Sequence, residues 1–173
     1  DGTITDCEII NSSVTLPSKS ETDGAGTGDA YYGIAGAVAD NRAAVRNVKV
    51  KNFTLSLSST SSNDYIACLV GQNRGTVEKS SVSGLKITVG GINHYVGGLV
   101  GYNAATVTGC AVDMAGDNNT TNNIYGGGYV GGLVGYNESA AEIKNSSVTG
   151  SVTSAQFASS NRYNMYGTAE NSN

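Results

Sequence analysis

The sequence predicts an all-β chain folded as a parallel β-solenoid of about four to five coils, with a repeat of about 32 residues. Three observations lead there. Four segments align without gaps: residues 33–41, 65–73, 95–103 and 129–137, the last two both reading Tyr-Val-Gly-Gly-Leu-Val-Gly-Tyr-Asn. Their closing residues Asn41, Asn73, Asn103 and Asn137 lie 32, 30 and 34 residues apart. Finally, the chain of 173 residues has 24 Gly but one Pro, 14% charged residues and many Ser, Thr and Asn, while its apolar residues are rich in Val and Ile. Such a composition disfavours helix interiors and favours short strands between turns.

Taken from the N-terminus, the chain opens in the second half of a unit, because Ile4, Cys7 and Ile9 reproduce a spacing that follows each aligned Asn. Val45, Val77 and Val107 stand four residues after it; Val48, Ser80 and Cys110 seven; Val50, Val82 and Val112 nine. Ile143, Ser146 and Val148 fit once a two-residue insertion is allowed. A third apolar run, Phe53 to Leu57 and Leu85 to Val89, alternates with period two as a strand does, and Val148 to Val152 reads as its shorter counterpart. One coil cannot bury its own apolar face; coils stacked about 4.8 Å apart pair equivalent strands and build a continuous core. The stacked register sets Glu8 beside Lys49 and Arg46 beside Glu78, opposite charges on neighbouring coils. The Asn column admits two readings, a side-chain amide ladder or turns whose backbone Asn tolerates. The whole of 1–173 reads as one solenoid segment, expected to be a piece of a longer protein, with 155–173 a degenerate terminal repeat or tail in which only Tyr163 and Asn171 keep the spacing.

The net charge of -4 offers no basic surface for phosphates, and no apolar stretch approaches a membrane span, so neither nucleic-acid binding nor membrane insertion is expected. The glycine-flanked core of the repeat resembles the GLUG motif of large bacterial surface proteins and IgA-specific metallopeptidases. It reads Gly98-Leu99-Val100-Gly101 and Gly132-Leu133-Val134-Gly135; Cys68-Leu69-Val70-Gly71 departs at one position and Gly36-Ala37-Val38-Ala39 at two. The resemblance implies β-helical repeats and an extracellular, cell-surface location, with no catalytic residue to carry over. The family's peptidase members hold zinc chemistry in another domain, and no His-Glu-x-x-His occurs here.

The expected function is therefore a non-catalytic, extracellular structural or adhesive scaffold. The alternatives are an accessory β-helix of an IgA-directed metallopeptidase and a self-assembling filament subunit. Catalytic residues and cofactors are expected to be absent. The single His94 is expected to be an exposed turn residue, since no second His or clustered Cys completes a zinc set. Cys7 and Cys110 share a column about 14 Å apart, too far for a disulfide, and with Cys68 are expected to be buried free thiols. Asp23 and Asp29 in a glycine-rich stretch are weak calcium candidates, the simpler reading being an insertion; Asp117 to Asn119 has the same ambiguity. Asp113 and Asp117 are the nearest approach to a glycosidase carboxylate pair.

Partner binding, to a protein or glycan ligand or to a second copy, points instead to the motif strand. It reads as one strand with Val96, Gly98 and Val100 on one face and Tyr95, Gly97, Leu99 and Gly101 on the other; neither face alternates to polar residues, so the face turned from the core should be covered. Leu69, Leu99 and Leu133 would then stack into an apolar interface stripe rimmed by Tyr95, Tyr129, Tyr102 and Tyr136. The tyrosines serve either ligand stacking or packing within the solenoid.

Overall fold

The computed structural model describes residues 2–16, 33–58, 64–90, 94–114, 123–126, 128–150 and 153–154. Every strand pairing among them is parallel and joins equivalent stretches of neighbouring repeats. The chain is a parallel β-solenoid, and its described strands form four sheets running along the stack. Sheet A comprises Ile4–Thr5, Ala44–Arg46, Thr76–Glu78, Thr106–Thr108 and Glu142–Lys144. Sheet B is built on the long strands Lys49–Leu57 and Ser81–Val89. Sheet C holds Gly33–Ala35, Tyr65–Ala67, His94–Gly97 and Gly128–Gly131. Sheet D holds Val38–Asn41, Val70–Asn73, Val100–Asn103 and Val134–Asn137.

The expected columns form. Ile4, Val45, Val77, Val107 and Ile143 are successive partners in sheet A. Ile9, Val50, Val82, Val112 and Val148 are successive partners in sheet B. Alternation then sorts the faces: Phe53, Leu55 and Leu57 enter the core with Leu85, Ile87 and Val89, while Lys49, Lys51, Thr54 and Lys86 stay outside it. Val148 is 38% exposed because no described strand stacks beyond it.

The third apolar run differs from expectation. Phe53–Leu57 lies between Ser13–Leu16 and Leu85–Val89, and the next partner of Lys86 to Thr88 is Asn123 to Tyr125. Val148 to Val152 is not the counterpart: Val148 belongs to the Val112 column, and Thr153–Ser154 continues the third run. The register is displaced because Val112 and Ile124, twelve residues apart, face Val82 and Ile87, which are five apart, and because Gly150, at φ 103°, turns the chain after Thr149.

Corners explain much of the polar composition. Between sheets A and B every coil turns through one left-handed residue, namely Asp6, Asn47, Lys79, Gly109 or Asn145. Asp, Asn and Gly adopt this conformation most readily, so the column is nearly the set a solenoid corner requires. The N–H groups of Asp6, Asn47, Lys79 and Gly109 each donate to a carbonyl of the following coil, carrying the ladder around the bend. Arg46 and Glu78 form the expected ion pair at 2.6 Å; Glu8 lies opposite Lys49, but its carboxylate closes diagonally on Lys51 at 2.5 Å. Both pairs lie at the surface, where solvent screens the charges and leaves their contribution to stability small.

The Asn column is an amide ladder. Asn41 Nδ2 donates to Asn73 Oδ1 at 2.7 Å, Asn73 to Asn103 at 2.8 Å and Asn103 to Asn137 at 2.6 Å, spanning 32, 30 and 34 residues. Each Oδ1 of Asn41, Asn73 and Asn103 also accepts the N–H two residues on, tying the D-to-A corner. The buried side chains are thus used fully. Asn103→Ala removes the middle rung, leaving the Nδ2 of Asn73 without its amide acceptor, Asn137 Oδ1 without its donor, and the N–H of Ala105 without Oδ1. We expect a loss of about 2–4 kcal/mol in urea unfolding; a loss below about 1 kcal/mol would show that water replaces the rung at no cost.

Candidate functional site

The repeated motif builds a sharp corner. In the third coil, His94–Gly97 runs inward in sheet C, Gly98 and Leu99 turn the chain, and Val100–Asn103 returns in sheet D. The expected unbroken strand is therefore two strands folded against each other, and the missing polar face is covered by the chain itself. Glycine makes this approach possible. A Cβ on Gly101 would lie 2.5 Å from the N of Ile66 and 2.8 Å from the O of Gly71, both backbone atoms of the preceding coil. Gly71 faces Gly33 and Ile34 in the same way, and Gly135 faces Val96. Ala39 holds the equivalent place in the first described coil and is exposed, with no described C strand beneath it.

The leucines correct an expectation. Leu69 and Leu99 are 0% exposed and Leu133 is 5% exposed, all within the main core cluster. They form no surface stripe, because the corner points them inward. The predicted interface residues thus divide: the leucines are core, and only the tyrosines reach the surface.

The tyrosines form two adjoining rows. Tyr65, Tyr95 and Tyr129 are partners in sheet C; Tyr102 and Tyr136 are partners in sheet D, where Gln72 and Asp40 precede them. Tyr95 and Tyr129 stack at 4.7 Å with 6° between planes, and Tyr102 and Tyr136 at 5.3 Å with 19°. The rows interlock through tilted and edge contacts of Tyr65 and Tyr95 with Tyr102, and of Tyr95 and Tyr129 with Tyr136. Ring faces turned to one another are engaged in packing, each such pair adding about 1 kcal/mol. Tyr65 is buried and the other four half-buried. The Tyr102 hydroxyl donates to Glu138, a partner that sequence reasoning missed; burial first, and then that carboxylate, push the phenol well above its usual range. The signal was available, since Glu138 follows the ladder residue Asn137 directly.

His94 also departs from expectation. It is fully buried, as is Asp64, its equivalent in the preceding coil, and its Nδ1 accepts the N–H of Asp64 at 3.4 Å and lies 3.7 Å from Asp64 Oδ2. Alternation is the reason: His94 and Val96 share the inward face of their strand. Desolvation holds the imidazole below its ordinary pKa, partly offset by the charge of Asp64 and by the Gly90 backbone. A depressed folded pKa means that the unfolded chain binds the proton more readily. Stability should be fully present above about pH 6.5 and fall as pH drops through the folded pKa. We expect urea midpoints to fall between about pH 7 and pH 5, and His94→Gln to flatten that slope; an unchanged slope in the variant would assign the acid sensitivity to other groups.

The three cysteines are free. Cys68 and Cys110 are buried, whereas Cys7 is exposed, contrary to expectation, because no described strand stacks on the outer side of its coil. Burial pushes the Cys110 thiol up to about 11 and that of Cys68 higher still. Asp113 sits at an exposed strand end and accepts a hydrogen bond from Thr149 at 2.7 Å. Asp23, Asp29 and Asp117 lie outside the described residues, so the calcium and carboxylate-pair readings have no geometry. Among the described residues no three of His, Cys, Asp and Glu are grouped to hold a metal ion.

Parallel stacking, a repeat of about thirty residues and positional side-chain ladders define the class: a β-solenoid repeat protein, whose equivalent residues bond coil to coil. The family model described as "The GLUG motif" matches residues 92–117 and 126–153, the stretches that hold the two identical segments 95–103 and 129–137. Over those two stretches the chain carries the GLUG motif. Comparison with curated proteins and with solved structures returns no match.

Proposed function

We propose that this solenoid is a non-catalytic module of an extracellular surface protein, acting as a rigid stalk or as the support of an adhesive face. One observation carries the reading. The residues the repeats share serve coil-to-coil bonding: the Asn ladder, the close-packed glycines, the inward leucines and the stacked tyrosines. A site for chemistry would depart from the repeat at one coil, whereas a scaffold repeats its bonds at each. The outer faces of sheets A and B, carrying Thr, Ser and Lys, are where a protein or glycan ligand would meet the module. The engaged ring faces argue against sugars stacking on the tyrosine rows.

The test is location and binding together. Antibody against the domain should label intact source cells, added protease should remove that label, and the purified domain should compete with cell attachment. Labelling only after lysis would overturn the extracellular reading. Surface labelling without competition would leave a stalk and remove the adhesive face.

A further inference from the structure

We propose that Tyr102 and Tyr136 are a site of oxidative cross-linking, at which a one-electron oxidant of the haem-peroxidase class joins the two phenols into a dityrosine that staples neighbouring coils. The two residues are direct partners across adjacent strands, so the backbone holds their rings in register, and the rings stack at 5.3 Å with 19° between planes. Both are half-buried and thus open to a small oxidant. Glu138 distinguishes Tyr102: oxidation of a phenol at neutral pH requires its proton to leave with the electron, and the Tyr102 hydroxyl already donates to that carboxylate. Tyr65, Tyr95 and Tyr129 touch this pair in one continuous ring cluster, so an oxidising equivalent that lands on any of the five has a path to Tyr102.

The chemistry balances. Each phenol loses one electron and its hydroxyl proton, the Tyr102 proton passing to Glu138. The two phenoxyl radicals couple through ring carbons ortho to oxygen, forming one carbon–carbon bond. Each ring then sheds the hydrogen of its coupled carbon as a proton and regains a proton on oxygen as it becomes aromatic again. The net change is the loss of two hydrogens, while one hydrogen peroxide is reduced to two waters through the peroxidase. The new bond closes the 34-residue span that the Asn103–Asn137 amide bond already bridges. Covalent closure of such a loop restricts the unfolded chain as a disulfide does.

The experiment treats the purified 173-residue chain with a haem peroxidase and stoichiometric hydrogen peroxide at neutral pH. The monomer should lose the mass of two hydrogens, gain dityrosine fluorescence and melt several degrees higher. Cleavage at Asp113 and Asp117, the acidic residues between the two tyrosines, should leave the fragments joined through Tyr102 and Tyr136. Tyr102→Phe and Tyr136→Phe keep a ring in each stack and should each abolish the product, with circular dichroism confirming that both variants fold. Glu138→Gln should form the same product several-fold more slowly. The proposal fails if the mass is unchanged while free tyrosine dimerises in the same mixture, if cross-links form only between chains, if the joined pair is Tyr95 and Tyr129, or if Glu138→Gln reacts as fast as the parent.

Discussion

Changing Leu99 and Leu133 together to Asp is expected to abolish folding, with loss of the cooperative thermal transition and of the β-sheet circular dichroism signal. Both leucines sit at the corner between sheets C and D, on neighbouring coils and inside the main core. Each substitution removes an apolar side chain whose burial stabilises by about 2 kcal/mol and sets an unpaired carboxylate in its place, at a cost of several kcal/mol per site. The two together are comparable to the whole of the roughly 5–15 kcal/mol that holds an ordinary domain folded. Leu99→Met with Leu133→Met keeps volume and polarity close to native and should cost less than about 1.5 kcal/mol per site. Were the Asp pair to fold with an unchanged melting point, the leucines would have to be at the surface, and the inward corner would be wrong.

Gly101→Val should be nearly as severe, and it separates backbone approach from side-chain burial. The added Cβ falls against backbone atoms of Ile66 and Gly71, which have no rotamer to escape into, so sheets C and D must separate along the stack. Overpacking a well-filled core ordinarily costs about 1–3 kcal/mol, and a clash with rigid backbone lies beyond that range. The same change at Ala39 supplies the control. That residue occupies the equivalent column but is exposed, with no described C strand beneath it, so Ala39→Val should move the urea midpoint little. Equal costs at the two positions would mean that the glycine column serves chain flexibility instead of sheet contact.

Much of this fold was legible because a solenoid repeats its contacts at fixed sequence spacing. Once Asn41, Asn73, Asn103 and Asn137 are aligned, the columns of Val45 and Val50 follow, since parallel partners in adjacent coils are equivalent residues. The third run was misplaced where the repeat length changed: the spacing from Val112 to Ile124 includes residues that Val82 to Ile87 lacks, and periodicity cannot show where an insertion ends. The site was legible in part. The tyrosines and leucines of the motif were identified from their positions, but their orientations depended on whether the Gly-Leu pair continued a strand or broke it.

The amino-acid sequence by itself determined the solenoid, its parallel register and the identity of each column, because those depend only on which residues recur and how far apart. Only the tertiary structure decided which way the motif faces. Glycines that stack backbone on backbone turn one apparent strand into a corner, which buries Leu69, Leu99 and Leu133 and brings the Tyr65 and Tyr102 rows into contact. These are contacts between strands of different sheets, and their geometry depends on how closely two backbones approach, a distance that no spacing along a single chain encodes.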